Sequence, residues 1–235
     1  MSRVRTNRRV PAVSPPDGAY GRGDLGASLV LIFPLLLAYE IGVLFAGRVN
    51  GADVVTRLVF ALVGNRALYL LVHAVIALLF LLWIRKNDRW ATLSVDIAAP
   101  VILEAAVYAL TLSAVCTLVV TKLLGLGVVS ASVVAALGAG VHEELVFRLG
   151  LMAGLVSLLR KSSLDERVAL PLALISSALI FSLAHHIGPY GEPITAHAVA
   201  FRTVAGCVFG LVFWYRSLAH AVYAHVMYDL IVTLG

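Results

Sequence analysis

Three short stretches of a very apolar chain carry acids, imidazoles and a guanidinium. The first, GVHEELVFRLGL at 140–151, sets His142, Glu143, Glu144 and Arg148 within seven residues. The second, IFSLAHHIGPYG at 180–191, contains Phe181, His185 and His186, and the third, LAHAVYAHVMYDLIVTLG at 218–235, contains His220, His225 and Asp229. A charged side chain at membrane depth costs about 2.5–3.5 kcal/mol on insertion scales. Groups kept at that cost are there for a role.

Read as an α-helix, the first stretch puts Glu144 and Arg148 at i and i+4 with the acid N-terminal, the better orientation for an ion pair. Pairing makes both charges tolerable in an apolar setting. Glu143 lies about 100° further round the helix and is left out of that pair. It is either protonated or held for chemistry, the plain alternative being a bond to a neighbouring helix. In the second stretch Phe181 and His185 share a face and His186 points elsewhere. In the third, His225 and Asp229 share a face well inside the membrane, while His220 reads as structural.

Polar groups in a lipid-embedded bundle turn toward one another, because lipid offers them no partners. A carboxylate and two imidazoles converging in a partly wet cavity suit general acid–base hydrolysis. They suit metal coordination as well, and spacing leaves both open. HEELV is not the zinc motif HExxH, since position 146 is Val. GxSxG is absent, and Asp229 is the sole Asp well inside an expected span, which argues against serine-type and paired-aspartate chemistry.

The elements that must position these groups follow from composition. The 235 residues are 61% hydrophobic and 13% charged, with a mean hydropathy of +0.97. Soluble domains hold about 25% charged residues. The chain therefore reads as an all-α, polytopic transmembrane bundle of about seven spans, near 27–47, 67–84, 96–121, 131–159, 168–186, 197–214 and 218–234. GADVVTRLVFALVGNR, at 51–66, reads by its periodicity as an amphipathic helix in the interface plane, the alternative being a loop with one turn of helix.

Lys and Arg set the orientation. Twelve of them fall on one side: Arg3, Arg5, Arg8, Arg9, Arg22, Arg85, Lys86, Arg89, Arg160, Lys161, Arg167 and Arg216. The other side holds Arg48, Arg57, Arg66 and Lys122. The N-terminus is then cytoplasmic. The net charge of +5 is a topology signal, with no nucleic acid as partner. Residues 1–26 read as a disordered cytoplasmic tail, and 27–235 as one membrane-embedded domain. Cys116 and Cys207 lack metal-ligand spacing and read as small core residues.

EExxxR (Glu143, Glu144, Arg148), FxxxH (Phe181, His185) and HxxxN/D (His225, Asp229), in that order on three helices, resemble the CPBP family. That family groups type II CAAX prenyl proteases with bacteriocin-processing and Abi-type membrane proteins. The resemblance covers about 131–235 and places Asp229 where the prenyl proteases usually have Asn. It implies an intramembrane endopeptidase of glutamate type. Glu143 and His185 would activate water, His225 and Asp229 would stabilise the oxyanion, and Glu144, Arg148 and Phe181 would support them. No cofactor is required on that reading; zinc is the alternative, held by Glu143, His185, His225 and Asp229. PLLLAYEIGVL, at 34–44, followed by NGAD is similar to a bacterial subgroup that includes the myxosortases.

The implied partner is a membrane-anchored protein or peptide substrate, and the implied location a bacterial inner membrane. Two other functions use the same residues: a non-proteolytic scaffold or immunity protein, and an ion-coupled transporter. The transporter reading lacks its usual inverted repeats. Glu40 and Glu104 are expected as partners for Arg148 or Arg202, or as bundle-stabilising pairs, and His73 as a core histidine.

Overall fold

The computed structural model describes residues 24–46, 54–116, 133–162, 164–187 and 191–234. Among these, all regular structure is helical: α1 (Leu25–Ala46), α2 (Val54–Val63), α3 (Arg66–Lys86), a 3₁₀ turn (Trp90–Leu93), α4 (Val95–Cys116), α5 (Val133–Gly138), a π-helical segment (Ala139–Met152), α6 (Ala153–Lys161), α7 (Glu166–Ala184), α8 (Ala196–Tyr215) and α9 (Leu218–Leu234). Most of the expected N-terminal tail lies outside the described residues. Asp24 already belongs to the fold: it accepts from the Ala27 N–H at 2.8 Å and pairs with Arg89 at 2.8 Å. Polar caps start other helices, with Asn65 accepting from the Leu68 N–H, Asp165 from that of Arg167 and Thr195 from that of Ala198.

Each of the seven expected spans falls on a helical run where it is described, except that the run expected to 186 ends at Ala184, with His185 and His186 in the turn that follows. Among the described residues, five helices are long and apolar enough to cross a membrane: Leu25–Val43, Arg66–Lys86, Val95–Ala114, Glu166–Ala184 and Ala196–Tyr215. The apolar run Leu218–Val232 is shorter than these. The stretch expected at 51–66 forms α2, which packs on α3 with Phe60 stacked on Tyr69 at 4.0 Å between ring centres. Leucines along α3, such as Leu71, Leu79 and Leu82, are exposed, as a lipid-facing helix requires.

α9 is the hub. It packs on α4, the π segment, α8, α1 and α5, and Ala219, Ala221, Val222, Ala224 and Val226 are all buried. A helix apolar on every side belongs in the middle of a bundle. Gly140 allows the π segment to press against it: a Cβ there would stand 2.3 Å from Val226 Cγ2 and 2.9 Å from the Val226 backbone nitrogen.

The run 133–161 corrects one expectation. Its central fourteen residues are π-helical, not α-helical, with the Ala153 N–H donating to the Arg148 carbonyl five residues back. Gly138 and Ala153, at the two ends, keep ordinary helical dihedrals, so the rod widens without breaking. π turns are rare and concentrate at functional sites. This one holds His142, Glu143, Glu144 and Arg148.

Candidate active site

The π segment, α7 and α9 bring Glu143, His185, His225 and Asp229 together. Glu143 is 3% exposed, and its two carboxylate oxygens face two different imidazoles. Oε1 is 3.5 Å from His185 Nε2, and Oε2 is 3.8 Å from His225 Nε2. These separations are long for direct hydrogen bonds and suit a bridging water.

Each imidazole is oriented from behind. His185 follows the last residue of α7, and its Nδ1 lies 2.8 Å from the Phe181 carbonyl, the relation expected at i and i+4. A proton on that Nδ1 satisfies the carbonyl and leaves Nε2 with a lone pair toward Glu143. His225 sits inside α9 and is buried, with Nδ1 2.8 Å from Glu144 Oε1. Its ring stacks on Phe209 of α8 at 4.4 Å between centres and 14° between planes. Asp229, one turn further on, places Oδ2 3.7 Å from the same Nε2.

Glu144 therefore serves two neighbours. Oε1 accepts from His225, and Oε2 stands 3.1 Å from Arg148 Nε. The expected ion pair is present and fully buried, at 0% and 1% side-chain exposure. Arg148 also donates to the Gly206 carbonyl at 3.3 Å, and its guanidinium lies 4.4 Å from the centre of the Phe181 ring. Phe181 is thus held between Arg148 and the edge of His185. Cation–π contact and a paired carboxylate together compensate a guanidinium removed from water.

Several other polar residues are placed elsewhere. His186 turns away and bonds the Glu192 carbonyl at 2.9 Å. Glu40 and Glu104 partner neither Arg148 nor Arg202 in the contacts they make. Glu104 pairs with Arg216 at 2.5 Å and approaches His220 at 3.4 Å, and Arg202 pairs with Glu192. Glu40 is bonded by the Tyr69 hydroxyl and flanked by His73 and His142. Glu104 also accepts from the Tyr108 hydroxyl of its own helix. Phe209 and the Gly206 carbonyl are site components that sequence reasoning missed. An aromatic ring in an apolar span carries no local mark of what it stacks on.

The donor types at the site, two imidazole nitrogens and two carboxylates, are ones zinc accepts. Among the described residues, however, no three His, Cys, Asp or Glu side chains are gathered so as to hold a metal ion. The two imidazoles face different oxygens of Glu143.

Residues 125–231 match the family model described as type II CAAX prenyl endopeptidase Rce1-like, and the matched segment includes every site residue named above. No curated protein and no solved structure matches the chain.

Proposed function

Because residues 125–231 belong to the Rce1-like family of type II CAAX prenyl endopeptidases, and so to the intramembrane proteases, we propose that the chain hydrolyses a peptide bond of a membrane-anchored protein or peptide with Glu143 as general base. The observation that carries this reading is the pair of imidazole Nε2 atoms facing the two oxygens of Glu143.

Glu143 takes a proton from a bound water while the His185 Nε2 lone pair accepts from the same water. The hydroxide oxygen attacks the scissile carbonyl carbon. His225 then presents an Nε2–H to the oxyanion, in the imidazolium form that fills Nδ1 with Glu144. Asp229 orients the ring from one turn away and adds to oxyanion binding only as a neutral acid, since an ionised carboxylate repels it. Glu143 returns its proton to the leaving amine, and the C–N bond breaks. No metal enters these steps. The lysine and arginine distribution supports a cytoplasmic N-terminus.

The test uses the full chain in proteoliposomes with two sets of membrane-inserted peptides, prenylated and unprenylated, and mass spectrometry of the products. Glu143→Gln and His185→Ala are expected to lower cleavage by about 10²- to 10⁴-fold with normal amounts of folded protein. Undiminished cleavage by Glu143→Gln would remove it as the base. Which peptide set is cut decides whether prenylation is recognised.

A further inference from the structure

A second carboxylate with two imidazoles lies on a different face of the π segment, reached by His142. Glu40 of α1 is 7% exposed, accepts from the Tyr69 hydroxyl, and stands 3.3 Å from His73 Nε2 and 3.6 Å from His142 Nε2. His73 is fixed in turn through Nδ1 at 2.9 Å from the Tyr69 carbonyl. Tyr39, beside Glu40 in sequence, meets the His142 ring edge-on at 5.1 Å. A Cβ on Gly138 would fall 2.3 Å from the Tyr39 ring, so α1 approaches the start of the π segment as closely as glycine permits. Glu40 and Tyr39 from α1, with Tyr69 and His73 from α3, form a socket, and His142 is the π-segment residue seated in it.

His142 and Glu143 are consecutive and reach opposite clusters, so the backbone between them cannot rotate without moving both. Longer π runs are unusual because the i→i+5 pattern is poorer than the α pattern. Fourteen residues of it need holding from outside. Glu144, through Arg148 and His225, holds the side facing α8 and α9. Glu40 holds the side facing α1 and α3. Relaxation of the early π turns toward α would carry Glu143 round the helix and away from its two histidines.

We propose that Glu40 is a positioning residue for Glu143: by holding His142 it keeps the π register that aims the Glu143 carboxylate, and α1 and α3, outside the family-matched segment, thereby form part of the catalytic apparatus. The inference rests on Glu143 being the base. Its test therefore includes a readout that does not depend on cleavage.

Glu40→Gln in lipid nanodiscs is compared with the parent chain by hydrogen–deuterium exchange and by kinetics on the peptides cut by the parent. Amides within 139–152 are expected to exchange faster by on the order of tenfold, with α7 and α8 unchanged. The kcat per folded molecule should fall by about 10- to 100-fold, the scale of a small misplacement at a reacting centre. KM should hold, since Glu40 is engaged by Tyr69, His73 and His142 and is not among the residues proposed to meet the substrate. His142→Gln reads the same contact from the other side if Glu40→Gln does not accumulate, and the double variant should be no worse than the poorer single one. Unchanged exchange across 139–152, or additive losses in the double variant, would overturn the proposal. Faster exchange in a chain whose Glu143→Gln form still cleaves would instead fault the base assignment and leave the pinning of the π segment standing.

Discussion

Glu143 and Glu40 are the same side chain in closely similar company, each buried within 4 Å of two imidazole Nε2 atoms contributed by other elements. They differ in what completes the shell. At Glu40 a phenol donates directly to the carboxylate, on the same oxygen that faces His73, in a place a water would need for hydrolysis. At Glu143 the shell is extended by further charge: Glu144 behind His225, Arg148 behind Glu144, and Asp229 one turn from His225. A carboxylate and two histidines are thus common ground between the proposed structural clamp and the proposed hydrolytic centre. The phenol marks the first and the relay of charges marks the second.

If charge is what distinguishes the two clusters, its removal should be far more damaging beside Glu143. Glu144→Ala strands Arg148 in a fully buried position and is expected to cost about 3–5 kcal/mol, read as a lowered thermal midpoint and less folded protein in detergent. A loss no larger than that of an exposed substitution would mean the pair does not compensate Arg148.

The corresponding change in the other cluster is Tyr69→Phe, which removes one neutral donor and keeps the ring that stacks on Phe60. About 1 kcal/mol is expected, measured in the same unfolding assay. A cost equal to that of Glu144→Ala would erase the distinction and make the Glu40 cluster as charge-dependent as the site.

The smallest effect sharpens the comparison by isolating ring orientation from charge. Phe209→Leu keeps apolar volume beside His225 but removes the stacked face. Aromatic pairing is worth about 0.5–1.5 kcal/mol, so kcat for peptide cleavage should fall by roughly two- to tenfold with stability little changed. An unchanged kcat would leave Glu144 alone as the group that orients His225.

Much of this was legible in the chain. Long apolar runs can satisfy their backbone in lipid as helices, so the helical bundle followed from composition, although five of the described helices, where about seven spans were expected, are long and apolar enough to cross a membrane. The charged groups stood out for the same reason, because each is expensive among apolar residues. The pairing of Glu144 with Arg148 and the separate direction of Glu143 needed only helical spacing.

What the tertiary structure decided is distance, register and the choice of partners. Helical spacing places Glu143 and His185 on two separate helices, and only the packing of those helices brings the two side chains to 3.5 Å. The π register of 139–152 has no signature in hydrophobic periodicity. Phe209 carries no polar cost and so gave no local signal that it would lie against His225. Glu40, by contrast, was conspicuous, but its partners come from α3 and the π segment, 29 to 102 residues away in sequence. A buried charge announces that it needs a partner; only the packing of the helices determines which partner comes within reach.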